Sequence, residues 1–191
     1  MTAASPGFAE DATRARRVSL CSLHLNGEPM TMAVPAHWTL LELLRYRVGL
    51  TGTKQGCDKG DCGTCTLRLN GQPVLSCITL ALEADGQSVE TVEGLGVGGE
   101  PHPLQAAFVE CGAAQCGFCT PGMLMSSAAW LDRIALEDAP DLSREAIAAM
   151  LGGNLCRCTG YTKIVEAVGM AAREVLGRAH DLGESSHEDE R

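Results

Sequence analysis

The sequence predicts an α+β chain with two unlike halves: strands around a single helix, then helices alone. Three observations predict it. Residues 17–93 alternate apolar and polar positions with period two and contain two Asn-Gly turns. Residues 104–178 instead repeat apolar side chains at helical spacing. Between them, residues 94–103 hold four glycines and two prolines, the composition of a linker.

In the first half, a short strand leads into Asn26-Gly27, and Met30, Met32 and Val34 alternate beyond it, which is a hairpin signal. Thr39 with Glu42 has the form of a capping box, Leu40, Leu41, Leu43 and Leu44 supply an apolar face, and Gly49 ends the helix. Leu67 and Leu69 alternate into Asn70-Gly71, a second hairpin turn. Val89 to Glu93 makes a last strand. Strands around one helix suggest a small β-grasp-like domain.

In the second half, Leu104, Ala107, Phe108 and Cys111 share one helical face and Gly112 closes it. Thr120 and Pro121 read as N-cap and first residue of the next helix, which carries Met123, Leu124, Ala128 and Leu131. Ser143 caps a third, with Ile147, Met150 and Leu151. Ile164, Val168, Ala171 and Val175 form one face of a fourth. Two helical hairpins of this kind bring both intervening loops to one end of a four-helix bundle. Residues 1–16 lack periodicity and read as a flexible arm; residues 179–191 read as an acidic flexible tail.

The chain has 191 residues, 45% of them hydrophobic and 20% charged, the balance of a soluble globular protein. Its net charge of −9 argues against nucleic acid, which demands a basic face. No apolar run reaches membrane-spanning length, and Val18 to Leu25 is too short and interrupted for an export signal. The expectation is a cytoplasmic protein, in which closely spaced cysteines are metal ligands rather than disulfides.

Eight of the ten cysteines form two quartets. Cys57, Cys62 and Cys65 read C-x4-C-x2-C, with Cys77 beyond the second hairpin. This is the plant-type [2Fe–2S] spacing. Three thiolates from one short loop need a sharply turning backbone that passes close to the inorganic sulfides, and Gly56, Gly60 and Gly63 permit it. Peptide N–H groups can then point at the sulfurs. Structural zinc on four thiolates is the alternative. Cys116 and Cys119 read C-x2-C and are answered by Cys156 and Cys158, a C-x-C. Taken alone, this second set suits zinc, a redox pair or a cluster.

Three segments add a resemblance. Gln115-Cys116-Gly117-Phe118-Cys119-Thr120-Pro121-Gly122, Gly153-Asn154-Leu155-Cys156-Arg157-Cys158-Thr159-Gly160-Tyr161 and Gly52 through Cys65 resemble signatures of the iron–sulfur subunit of the xanthine oxidase family of molybdenum hydroxylases. The resemblance covers residues 17–178 in order. It implies a β-grasp plant-type ferredoxin domain, residues 17–93, and an all-α four-helix-bundle domain, residues 104–178, each with one [2Fe–2S] cluster.

It also implies partners: a large molybdopterin subunit, its cofactor in the cytosine dinucleotide form, and a medium FAD subunit, assembled as a dimer of heterotrimers. Electrons would pass from molybdenum through the helical-domain cluster and the ferredoxin-domain cluster to FAD. Gln115 and Cys158 match the family's pterin-contacting positions. An amide suits the pterin's mixed donors and acceptors. Arg157 and Tyr161 would pack at the same interface. The reductive 4-hydroxybenzoyl-CoA branch of the family is compatible with the same residues. A free-standing redox shuttle is a rival, which Gln115 opposes because a shuttle has no pterin to touch. A zinc-stabilised interaction module is another.

The remaining motifs read as structure. Cys21 and Cys111 read as core residues. Cys21 and His24, three apart on a strand, face opposite ways and cannot share an ion. Gly94 to Gly99 spells G-x-G-x-x-G, but Glu100-Pro101-His102-Pro103 follows where a dinucleotide fold needs a helix to open. That stretch is expected to lie on a neighbouring subunit. Met123 and Met125 read as helix core, and Glu137, Asp138 and Asp141 as solvated.

Overall fold

A computed structural model describes residues 18–185, with side chains to residue 177. The expected arm at 1–16 lies outside the described residues, as does the end of the expected tail, 186–191.

The first half is a five-stranded sheet in the order β2-β1-β5-β3-β4, formed by β1 (Val18–Leu25), β2 (Glu28–Pro35), β3 (Thr66–Leu69), β4 (Gln72–Leu75) and β5 (Ser88–Glu90). Both Asn-Gly turns make the hairpins expected of them. Asn26 and Asn70 adopt φ of 51° and 49°, and the glycines that follow are also left-handed. β1 and β5 run parallel; the other pairings are antiparallel. β5 ends at Glu90, short of the expected Glu93, because Val92–Gly94 turns into a 3-10 helix.

The Thr39–Glu42 capping box is present, the Glu42 N–H donating to Thr39 Oγ1 at 3.2 Å and the Thr39 N–H to Glu42 Oε2 at 2.8 Å. It opens α1 (Leu40–Glu42), which widens at once into a π-helical stretch, Leu43–Val48, closed by Gly49 at φ 88°. Leu40, Leu43 and Leu44 meet Cys21, Leu23, Val34, Leu67 and Val89 in a core between helix and sheet.

The second half has the four helices expected: α2 (Pro103–Glu110), α3 (Thr120–Ile134), α4 (Arg144–Met150) and α5 (Thr162–Ser185). Their shared core includes Leu104, Phe108, Met123, Met125, Ile147, Ile164 and Val168. Cys119 takes the N-cap position of α3, so Thr120 is its first helical residue rather than its cap. α5 runs seven residues past the expected domain end at 178, to Ser185. Cys21 is fully buried; Cys111 is half-buried against the helical core. The glycine-rich stretch opens no helix before Pro103, and its Leu95 is buried in the helical core. Among the described residues, no helix is long and apolar enough to cross a membrane.

Candidate iron–sulfur sites

The first quartet is built by a pinned loop and a hairpin. Arg45 donates to the carbonyls of Thr51 and Thr53 at 2.9 and 2.7 Å, fixing the loop's entry. The register Thr66↔Leu75 in the β3–β4 hairpin sets Ser76 opposite Cys65, whose carbonyl accepts from the Ser76 hydroxyl at 2.7 Å. That brings Cys77 beside Cys65, close enough for the Cys65 thiol to act on it. Cys57 and Cys62 form the other close pair. A Cβ on Gly56 would sit 2.5 Å from Thr64 Oγ1 and 2.7 Å from Cys62 Sγ, so the packing of this loop requires glycine there.

Peptide N–H groups converge on this quartet. Those of Lys59 and Cys62 point at Cys57 and lower its pKa to about 6, with the Asp61 N–H also donating at 3.3 Å. Thr64 Oγ1 lies 3.2 Å from Cys62 Sγ. Cys77 is the reverse case: burial, reinforced by Cys65, pushes it up to about 12. Desolvated thiols among inward-facing donors need a positive centre to become thiolates, and a cluster supplies one.

The second quartet sits at one end of the helices, in the loops before α3 and α5. Cys116 and Cys158, both exposed, hold their sulfurs 3.6 Å apart. Cys119 and Cys156, half-buried, form the inner pair. Burial pushes Cys119 up to about 12. Burial raises the Cys156 thiol, but hydrogen bonds from the Thr159 hydroxyl and N–H, the Cys158 N–H and Cys119 together outweigh it and bring the thiol down to about 7. Cys158 is raised by its neighbour Cys116. Among the described residues, no three His, Cys, Asp or Glu converge where a single metal ion would sit. Four thiols brought together in this way suit a two-iron centre.

Gln115 is exposed immediately before Cys116, and Arg157 is exposed between Cys156 and Cys158. Tyr161 is half-buried. Its hydroxyl folds back into the loop, accepting from the Cys156 N–H at 2.8 Å and donating to the Asn154 carbonyl at 2.9 Å. A φ of 67° at Tyr161 accompanies that return.

The two cluster loops touch. The Leu155 N–H donates to the Cys62 carbonyl at 2.9 Å, and Asn154 Nδ2 donates to the Gly63 carbonyl at 2.9 Å. Gly63, expected to clear the sulfides, clears the other domain: a Cβ there would lie 2.3 Å from the Gly153 carbonyl. Gly122 is its counterpart on α3, where a Cβ would lie 2.4 Å from the Gly63 carbonyl. Beside this seam Arg68 pairs with Glu90 at 3.2 Å and with Asp132 across the boundary. Asn154, Thr159 and Gly122 stood within the signatures without a role of their own, and Arg68 carried no signal, because their partners are distant in sequence or lie in a loop of unspecified shape.

A sheet-and-helix domain and a helical domain, each with a thiolate quartet and joined through their cluster loops, define a two-cluster iron–sulfur electron-transfer protein. Residues 23–92 match the 2Fe-2S iron-sulfur cluster binding domain family, and residues 91–169 match the [2Fe-2S] binding domain family. The chain is 47% identical over 147 residues to the nicotinate dehydrogenase small FeS subunit of Eubacterium barkeri, covering 77% of this chain and 90% of that protein. It is 39% identical to the aldehyde oxidoreductase iron-sulfur-binding subunit PaoA of Escherichia coli K12, covering 86% of this chain and 76% of that one. Among solved structures, a chain of quinoline 2-oxidoreductase from Pseudomonas putida 86 superposes with a TM-score of 0.78 at 44% identity, covering 85% of this chain and 98% of that one.

The chain therefore belongs to the small [2Fe–2S] subunits of the xanthine oxidase family of molybdenum hydroxylases. It is the iron–sulfur, electron-transfer subunit of such a multi-subunit oxidoreductase, and its two halves are [2Fe–2S]-binding domains.

Proposed function

We propose that the chain conducts electrons from a molybdopterin centre to FAD, each on a partner subunit, through two [2Fe–2S] clusters. Cys57, Cys62, Cys65 and Cys77 hold one; Cys116, Cys119, Cys156 and Cys158 hold the other. Clusters held there would supply one-electron transfer. The protein's part is to supply thiolates, aim N–H and hydroxyl donors at the sulfurs, and fix the distance between the centres.

The observation that carries the reading is the hydrogen bond from the Leu155 N–H to the Cys62 carbonyl. It joins the residue preceding one ligand cysteine to the carbonyl of another, so the two clusters share a backbone bridge. The exposed Cys116–Cys158 pair and exposed Gln115 support a pterin contact at the helical end. The ferredoxin-domain cluster then faces the flavin.

The partners are a large molybdopterin subunit, with the cofactor in the cytosine dinucleotide form, and a medium FAD subunit, in a dimer of heterotrimers. Linker residues 94–103 join domains 17–93 and 104–178. All ten cysteines are unpaired, which suits a reducing cytoplasm. Similarity to subunits of nicotinate dehydrogenase and quinoline 2-oxidoreductase favours hydroxylation of a nitrogen heteroaromatic ring by the whole enzyme, with oxygen from water.

Reduction of the purified complex tests the reading. Two distinct rhombic [2Fe–2S] EPR signals and four irons per chain are expected. One signal, or zinc in place of iron, overturns it.

A further inference from the structure

Thr159 stands against the second quartet in an arrangement that fixes its proton. Its Oγ1 lies 3.1 Å from Cys156 Sγ, and its own N–H points at the same sulfur from 3.5 Å. The Tyr161 N–H donates to Thr159 Oγ1 at 3.1 Å. With that oxygen already accepting, the hydroxyl's single proton is directed to the sulfur. Tyr161 also occupies the Cys156 N–H with its phenolic oxygen, so that N–H does not reach the cluster.

The first quartet has a looser counterpart. Thr64 Oγ1 is 3.2 Å from Cys62 Sγ, but the Lys54 carbonyl, 3.5 Å away, competes for its proton. One cluster thus has a committed hydroxyl donor and the other a shared one.

We infer that Thr159 sets the reduction potential of the helical-domain cluster, its hydroxyl, oriented by Tyr161, donating to the Cys156 sulfur and raising that potential. The inference rests on the proposal that Cys156 is a cluster ligand. Reduction adds one electron and one negative charge to the cluster and its thiolates. No bond forms or breaks, and the proton stays on the Thr159 oxygen. A donor to sulfur stabilises the more negative, reduced state, and donation to a charged acceptor is the stronger kind of hydrogen bond. Removing the donor moves the potential negative.

The test is an EPR-monitored redox titration with dithionite on the whole complex carrying Thr159→Val, Thr159→Ala or Thr159→Ser. In Val and Ala the helical-domain signal should titrate at a more negative potential while the ferredoxin-domain signal stays put. Ser keeps the hydroxyl and should titrate as the parent does. With both signals present, an unmoved potential in Val, or a Ser variant shifted as far as Val, overturns the inference alone. A parent complex without a second [2Fe–2S] signal overturns the ligand proposal, and this inference with it. If Val and Ala lose the cluster, resonance Raman of the parent and Ser proteins decides. An exchangeable hydroxyl on the sulfur shifts the helical-domain Fe–S bands in D2O, and bands that do not move overturn it.

Discussion

The Leu155 N–H donates to the Cys62 carbonyl at 2.9 Å, and this one hydrogen bond shortens the route between the two quartets to two cysteine side chains, the hydrogen bond and the backbone of Leu155. Replacing Leu155 with proline removes the donor. The preceding Asn154 already has φ −117° and ψ 112°, the extended conformation that a residue before proline prefers. Leu155→Pro should keep both clusters, cost about 0.5–1.5 kcal/mol, and slow flavin reduction by substrate. Stopped-flow absorbance checks the rate and EPR the clusters. An unchanged rate would take this bridge off the electron path.

Asn154 is the polar pin of the same seam. It is 5% exposed, donates to the Gly63 carbonyl and accepts from the Ser126 hydroxyl at 2.8 Å. Asn154→Leu removes both bonds; the Gly63 carbonyl keeps those from the Thr66 N–H and hydroxyl, while the half-buried Ser126 hydroxyl loses its partner. The expected loss is about 0.5–1.5 kcal/mol for each hydrogen bond removed. It is read as a lowered urea midpoint for bleaching of the visible absorption. Spin–spin coupling between the two reduced clusters, measured by EPR at low temperature, should weaken as the domains loosen.

Gly63 admits no side chain, for two independent reasons. Its φ is 70°, and an added Cβ would meet the Gly153 carbonyl at 2.3 Å, a backbone atom that cannot rotate away. Gly63→Ala should cost about 1–3 kcal/mol or more, the penalty of overpacking a tight contact. The outcome to measure is iron content per chain after expression. Four irons with an unchanged melting temperature would show that the seam tolerates a methyl group.

The fold was legible in this sequence to the degree that its signals are local. Asn26-Gly27 and Asn70-Gly71 marked both hairpins because only left-handed residues close such turns, and Thr39 with Glu42 marked α1 because the capping box lies within four residues. The π-helical widening after Glu42 had no sequence signal, since the leucine pattern serves either helix. Cysteine spacing announced both quartets. It was silent on Thr159 and Tyr161, whose roles depend on how one loop folds back, and on Gly63 with Gly122, whose reason lies in the opposite domain. Glycines beside the cysteines invited the reading of clearance for sulfide; Gly56 clears the Thr64 hydroxyl and the Cys62 thiol, while Gly63 clears a carbonyl.

Thiol reactivity of the iron-stripped protein should divide the cysteines by their surroundings. Inward N–H donors hold Cys57 at about 6, below the value near 8.5 of an unfolded thiol. Its thiolate therefore contributes stability that is complete above the unfolded value and is lost as pH falls through about 6. At pH 7 Cys57 is mostly thiolate. Burial keeps Cys77 and Cys119 protonated until the pH approaches about 12. Iodoacetamide at pH 7 should label Cys57 first and leave Cys77 and Cys119 unmodified, as peptide mass spectrometry will record. Labelling of Cys77 as fast as Cys57 would contradict the donor geometry.

On the proposed route, Cys158 marks the outer end. It is exposed, its sulfur lies 3.6 Å from that of Cys116, and burial holds its counterparts Cys119 and Cys156 further in. The outer pair is thus the one a partner's cofactor can approach. Cys158→Ser exchanges sulfur for a weaker oxygen ligand on that pair alone. The helical-domain EPR signal should change shape or disappear, while the ferredoxin-domain signal, held by Cys57, Cys62, Cys65 and Cys77, persists. Substrate should still reduce the molybdenum centre, because this chain lends that step no residue beyond the contact. Flavin reduction by substrate should slow sharply, because the electron's first stop is damaged. The two steps separate in a stopped-flow record that follows flavin bleaching and in rapid-freeze EPR of molybdenum. Flavin bleaching at the parent rate in a Cys158→Ser complex with an altered helical-domain signal would mean that electrons reach FAD by another way.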